Sequence, residues 1–320
     1  MRYFAQLMDE LKTITENATP GQDLQVPSRL RQIKIKNKMV RYLCMGIAHD
    51  PSDIPIIFLH GYGGFFMDWP RVMTPLSKRH FVVALDLPGW GFSEAHDDGS
   101  KIEDDAWVVL EFIKKMGLSN AILVGLSYGS AVAWSAASMT ADVRLERVKE
   151  VLLLNPMPPH PIKHMNSKLY KGLFQLNRYK TLATIGNKFL TKSHYKAICK
   201  ENLKHARLLD TFYLQLGYLV TKQKKVVENL YRHSKGAQNI DWDRWERELS
   251  KINLPTTIMQ GLDDRIFSME SARYLGGLIP NSRLLEVDDC GHAIVFDRPQ
   301  KVIRELIKLA AKMKSEKKAS

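Results

Sequence analysis

Four short apolar runs recur along the chain, each ending in turn-forming residues: PIIFLHG (55–61), FVVALDLPG (81–89), AILVGLS (121–127) and VLLLNP (151–156); after a gap, βα units resume with TTIMQGLDD (256–264) and RLLEVDDCGH (283–292). Runs this short read as buried strands. Helical candidates such as DDAWVVLEFIKKMG (104–117) lie between the earlier ones. Strands that alternate with helices build a parallel sheet with connecting helices on both faces. Upstream, QIKIKNKMVRYLCMGI (32–47) alternates about a turn-like Asn37-Lys38 and reads as a hairpin. The alternation breaks over 157–250, which holds no convincing strand and includes the strongly helical stretch 203–233, with Leu209, Phe212, Leu216 and Leu219 on one approximate face. The expected fold is α/β, a mostly parallel central sheet flanked by helices. Residues 1–29 form an N-terminal helical segment, 30–156 and 251–320 the core, and 157–250 a helical lid inserted in it. A chain of 320 residues is long enough for this as one large domain.

Bulk composition removes several classes of function. Hydrophobic residues at 45% and charged residues at 25% are ordinary for a soluble globular protein. No apolar stretch approaches the ~20 residues that span a bilayer. Asp9, Glu10 and Lys12 interrupt the place where a signal peptide would be apolar, while Phe4, Leu7, Met8, Leu11 and Ile14 share a helix face suited to packing on the protein body. Cys44, Cys199 and Cys290 lack C-x-x-C spacing, so neither a disulfide framework nor a zinc site is indicated and a cytoplasmic location is expected. His160 and His164 are four apart, but Pro161 argues against a regular helix that offers both to a metal. The net charge of +13 is concentrated in 157–250, which has 18 basic against 7 acidic side chains. No nucleic-acid motif accompanies it, so no nucleic-acid partner is expected. Either these lysines, Lys222, Lys224 and Lys225 among them, are merely solvated, or they favour peripheral contact with an anionic membrane surface.

In an open parallel sheet, reactive groups gather at the carboxyl ends of the strands. The run from Ala121 to Gly125 leads into Gly125-Leu126-Ser127-Tyr128-Gly129, with Ala131, Ala133, Ala136 and Ala137 beyond it in a helix suited to close packing. A G-x-S-x-G pentapeptide arises by accident in roughly one chain in ten of this length, so its context matters. Between a strand and a helix it makes a sharp elbow whose apex is strained and whose flanking glycines relieve the crowding, which presents Ser127 as a nucleophile. His60-Gly61-Tyr62-Gly63-Gly64 ends another strand, where glycines let backbone N–H groups face an oxyanion. Its donor would be the N–H of Tyr62, and the second donor that of Tyr128. Gly261-Leu262-Asp263-Asp264 and Asp289-Cys290-Gly291-His292 end two more, supplying a carboxylate and then a histidine downstream of the serine.

With these features in the order Ser–Asp–His, the chain resembles the α/β-hydrolase superfamily over almost all of 30–315. DLPGWGFS (86–93) is similar to its D-x-x-G-x-G-x-S loop and GHAIVFDRP (291–299) to its terminal G-H…P motif. The resemblance implies Asp264, three residues after Gly261, as the acid, with Asp263 the alternate; Asn155 stands where some members carry that acid. Ser127 separates the chain from epoxide hydrolases and haloalkane dehalogenases, which use an aspartate at the elbow. Ala293 stands where C–C bond hydrolases commonly have tryptophan. The run 290–299 looks most like lipases and esterases of the monoacylglycerol-lipase type. The implied activity is carboxylic ester hydrolysis by Ser127, His292 and Asp264, on a small-molecule ester or lipid, with no metal or organic cofactor. A catalytically inactive receptor on the same fold and an acyltransferase are the alternatives. Acyl chain length, alcohol and oligomeric state are left open.

Overall fold

The computed structural model describes residues 2–46, 54–97, 101–139 and 147–319. Helix α1 (Arg2–Asn17) precedes the hairpin β1 (Arg31–Ile35) and β2 (Lys38–Met45). Its turn is Lys36-Asn37, one residue earlier than expected, because Lys38 already pairs with Ile35. Both turn residues have positive φ, 44° and 64°, the twist that a two-residue hairpin requires. Next come β3 (Ile56–Leu59), α2 (Pro70–Leu76), β4 (Val82–Leu85), α3 (Ile102–Lys115), β5 (Ala121–Leu126), α4 (Tyr128–Met139) and β6 (Val148–Leu154). A helical insert then intervenes: α5 (Pro161–His164), α6 (Lys168–Asn177), α7 (Lys180–Phe189), α8 (Lys192–Glu201), α9 (Thr211–Lys222), α10 (Lys224–Gly236) and α11 (Trp242–Leu249). The chain closes with β7 (Thr256–Gly261), α12 (Met269–Leu278), β8 (Ser282–Val287), α13 (Ile294–Asp297) and α14 (Pro299–Ala319).

All the expected strands join one eight-stranded sheet, in the order β1-β2-β4-β3-β5-β6-β7-β8. Only the pairings of β2 with β1 and β4 are antiparallel. Every residue of β3, β4, β5 and β7 is buried, which is why the first three read as unbroken apolar runs, while β7 also buries Thr256, Thr257 and Gln260. The chain moves from β3 outward to β4 and then back across to β5 on the other side. Such a reversal opens a crevice at the carboxyl ends of β3 and β5, the place where an open sheet binds ligands.

The stretch 203–233 is not one helix. It breaks at Gln223, which is extended (φ −63°, ψ 136°) and whose amide donates to Gly91 O at 3.2 Å. Helix α9 packs against α1, α8 and α10, so Leu216 and Leu219 are buried in that packing instead of facing a substrate. Leu7 and Leu11 bury α1 against the body, as their spacing predicts. Two of the lysines expected to face outward also turn in. Lys222 donates to the carbonyls of Asn187, Lys188 and Leu190, which neutralises the C-terminal end of α7, and Lys225 donates to Ser93 O at 3.2 Å.

Candidate active site

The turn from β5 into α4 carries Ser127 at φ +52°, a left-handed conformation that a serine adopts only under constraint. Its N–H donates to Leu154 O (3.0 Å), and its carbonyl accepts from Ser130 N (2.9 Å) and Met157 N (3.2 Å). The flanking glycines are sterically required. A Cβ on Gly125 would lie 2.3 Å from Gly129 O, and one on Gly129 would lie 2.2 Å from Leu59 O. Gly129→Ala therefore forces α4 away from β3 and should cost about 1–3 kcal/mol in denaturant unfolding. A variant as stable as the wild type would show that the turn has room to spare.

Opposite the elbow, Gly61 approaches so closely that a Cβ there would be 3.4 Å from Ser127 Cβ and 4.0 Å from its Oγ. The loop holding Gly61 and Tyr62 is anchored by His60. Nδ1 of that ring lies 2.8 Å from Gly61 O and Nε2 accepts from Leu87 N at 3.0 Å, which requires the neutral Nδ1–H tautomer. Burial pushes this histidine down to about 4, so it stays neutral. Tyr128 is the first residue of α4, and its backbone N–H stands at a helix N-terminus, where partial positive charge gathers. The phenols of both tyrosines are committed elsewhere: Tyr62 to Leu230 O and Ser234 Oγ (3.0 and 2.8 Å), Tyr128 to Asp105 Oδ2 (2.8 Å).

Asp264 and His292 meet at 2.8 Å, through Oδ2 and Nδ1. Four further donors converge on that carboxylate. Oδ1 accepts from Ile266 N (2.7 Å) and Phe267 N (3.1 Å), and Oδ2 from Asn155 Nδ2 (2.9 Å) and Gln260 Nε2 (3.0 Å). A carboxylate so placed holds the proton of His292 on Nδ1 and leaves Nε2 as the basic nitrogen. Asp263 turns the other way and pairs with Lys204 at 2.7 Å, which holds its carboxyl below the usual range. Two residues that sequence reasoning left without a role complete the frame. Asn155 also donates to Gly291 O (2.8 Å), tying the histidine loop to the acid. Asp297, inside the GHAIVFDRP motif, accepts from Gly291 N (2.8 Å) and from Lys204 N and His205 N (2.9 and 3.0 Å), so one carboxylate joins that loop to the insert.

Gly61, Tyr62, Ser127, Tyr128 and His292 all line one cavity of about 380 Å³. Its remaining wall is largely apolar and comes mostly from the insert, including Phe174 on α6, Leu190 just after α7, Ile198 on α8 and Leu230 on α10. Leu209, Phe212, Leu216 and Leu219, whose shared face would suit an acyl pocket by sequence, are not part of it. The DLPGWGFS loop seats the insert. Asp86 accepts from Phe66 N (2.6 Å) and Phe92 N (2.8 Å), and Gly89 admits the side chain of Asn229, which a Cβ would meet at 2.5 Å. Burial pushes the Asp86 carboxyl up to about 7.

His233, beside the rings of Tyr62, Trp90 and Tyr128, has no hydrogen-bond partner for Nε2 among the described residues, and burial lowers it to about 4. The unfolded chain protonates this histidine near pH 6.5 and the folded chain only near 4. Its contribution to stability is thus present above pH 6.5 and is lost as the pH falls toward 4. His233→Phe should flatten that acid-side slope by up to about 1.4 kcal/mol per pH unit in chemical denaturation. Comparing the variant with the wild type cancels the opposite contributions of buried Asp68 and Asp86. An unchanged slope would mean that His233 titrates normally in the fold.

A family model described as alpha/beta hydrolase fold matches residues 54–299, which spans β3 to β8 and the strand ends that carry Gly61, Ser127, Asp264 and His292. The chain belongs to the α/β-hydrolase fold family. Within this α/β-hydrolase family it is 29% identical over 255 residues to AB hydrolase superfamily protein YisY of Bacillus subtilis (strain 168), covering 78% of this chain and 88% of that one. It is 26% identical over 295 residues to monoacylglycerol lipase ABHD6 of Bos taurus, covering 84% and 77%. Among solved hydrolases, epoxide hydrolase CorEH superimposes with a TM-score of 0.75 at 18% identity, covering 89% of this chain and 99% of that one. The expected family and fold both hold, and the family's members span more than one bond-cleaving chemistry.

Proposed function

We propose that this α/β-hydrolase is a serine hydrolase of carboxylic esters, with lipid-like acyl esters such as acylglycerols as its substrates. Ser127 Oγ attacks the acyl carbonyl while His292 Nε2 takes its proton. Asp264 keeps the imidazole in the required tautomer and stabilises the imidazolium. The backbone N–H groups of Tyr62 and Tyr128 receive the oxyanion. The imidazolium returns its proton to the departing alkoxide, and water then releases the acyl group by the same route in reverse. One observation carries the reading: the 2.8 Å Asp264–His292 hydrogen bond lies behind a cavity wall that His292 shares with a strained Ser127. A serine at the elbow favours acyl transfer over epoxide opening, where the attacking group is a carboxylate.

The apolar cavity supports a hydrocarbon acyl chain, and the likeness to a monoacylglycerol lipase supports the substrate class. The insert 157–250 acts as a lid over Ser127, because it supplies most of the cavity's apolar wall. Three free cysteines suit a reducing cytoplasm, and the basic insert suits peripheral contact with an anionic membrane. The test is hydrolysis of p-nitrophenyl esters and acylglycerols of graded chain length, alongside labelling by a fluorophosphonate. Turnover rising with chain length and then falling would measure the acyl pocket. A chain that binds these esters but neither hydrolyses them nor takes the label would be a receptor instead, and product formed only with an added alcohol would make it an acyltransferase.

A further inference from the structure

Large apolar side chains are well exposed at eight described positions, and six of them cluster on α6, α7 and the turn between: Leu169, Leu176, Tyr179, Leu182, Ile185 and Phe189. Phe189 is 70% exposed and Tyr179 62%. Single exposed apolar residues are ordinary, but a cluster on two packed helices marks a surface that something covers. Helix α7 is apolar on two sides. Ala183 and Gly186, with Leu190 just beyond the helix, face the cavity, whereas Leu182, Ile185 and Phe189, three and four residues apart, form a second stripe that faces out. Leu176 belongs to both regions, being exposed and also part of the cavity wall.

The charge around this stripe identifies its occupant. Residues 157–200 contain nine Lys or Arg and no Asp or Glu. Lys168, Lys188, Lys192 and Lys196 are exposed and meet no acidic side chain among the described residues. A second copy of the chain would bring this one-signed surface against itself, which repulsion opposes. Exposed apolar side chains on helices that also carry exposed lysines without acidic partners instead match a bilayer interface, where the former enter the acyl boundary and the latter meet anionic headgroups.

We infer that the α6–α7 face docks on an anionic lipid surface and that lipid enters the cavity past Leu176. The docking stands on its own; the entry of substrate rests on the ester-hydrolase reading. This surface replaces the one expected from Lys222 and Lys225, which are turned inward.

Sedimentation with phosphatidylcholine vesicles, with and without phosphatidylserine, tests the docking in the full-length chain. The wild type should bind the anionic vesicles more tightly, and salt should remove the difference as screening shortens. A Lys168→Gln/Lys188→Gln/Lys192→Gln/Lys196→Gln variant should bind them more weakly by on the order of a hundredfold or more. A Leu182→Ser/Ile185→Ser/Phe189→Ser variant should lose binding as well. Both should hydrolyse a water-soluble short-chain ester at the wild-type rate, yet act more slowly on a long-chain acylglycerol presented in anionic vesicles. Equal wild-type binding to the two vesicle types, or undiminished binding by either variant, overturns the docking. So does a wild-type dimer in sedimentation velocity that the serine variant abolishes. Weaker docking with an unchanged rate on the vesicle-borne acylglycerol overturns the entry route alone. A wild type that docks but hydrolyses no ester leaves the docking standing and removes the proposed activity.

Discussion

Replacing Ser127 by alanine should lower kcat on a short p-nitrophenyl ester by on the order of 10⁶ with little change in stability. Both halves of this expectation follow from the elbow. The conformation at φ +52° is held by backbone hydrogen bonds to Leu154, Ser130 and Met157, and an alanine keeps every one of them. Only the oxygen is lost. The amides of Tyr62 and Tyr128 and the cavity would still bind the ester, so a small residual rate above the uncatalysed one is expected. Substrate affinity should change far less than turnover. A fluorophosphonate should label the wild type at Ser127 alone, as peptide mass spectrometry would read. Persistent labelling of Ser127→Ala, or a rate within tenfold of the wild type, would move the nucleophile elsewhere.

For Asp264→Asn the expected loss in kcat is about 10⁴. The amide cannot serve all five donors that now converge on the carboxylate. With its NH₂ at the Oδ2 position it faces the donors of Asn155, Gln260 and His292; turned over, it faces the amides of Ile266 and Phe267. Relief comes when the imidazole adopts the other tautomer, which places its proton on Nε2 and removes the base. Because a buried donor is left unmatched either way, the variant should also lose about 1–3 kcal/mol of stability. Asp263→Asn is the control, since the Asp263 carboxylate pairs with Lys204 at the surface while His292 bonds to Asp264. Its rate should stay within a few-fold of the wild type. A reversal of the two effects would assign the acid to Asp263.

The strands of this protein were legible along the chain because each has a local cause. A strand buried on both faces is mostly apolar, and it ends where glycine, proline or asparagine can turn the backbone. The same locality made the elbow readable, since only glycine tolerates the contacts that Gly125 and Gly129 make with neighbouring carbonyls. The helical insert was less legible. Leu209, Phe212, Leu216 and Leu219 share a helical spacing, but a spacing shows only that some face is buried. Which neighbour buries it was set by α1, α8 and α10 arriving from other parts of the chain. Lysine in a sequence reads as exposed, yet Lys222 finds three carbonyls at the end of α7.

Asp263 and Asp264 are chemically identical neighbours, and the resemblance to other α/β hydrolases pointed to the second. Only the folded turn shows why: one carboxylate is drawn inward by the amides of Ile266 and Phe267, while the other is held outward by Lys204. Asn155, 109 residues from the acid it clamps, has no local signature at all. The sequence by itself determined where the strands lie along the chain, the strained serine and the strand ends that carry Ser127, Asp264 and His292, because those depend on short-range sterics and burial. The tertiary structure alone decided which acid meets His292, which helix faces line the cavity and where the unpartnered apolar stripe lies. Those depend on contacts between residues far apart in the chain, and no local pattern encodes them.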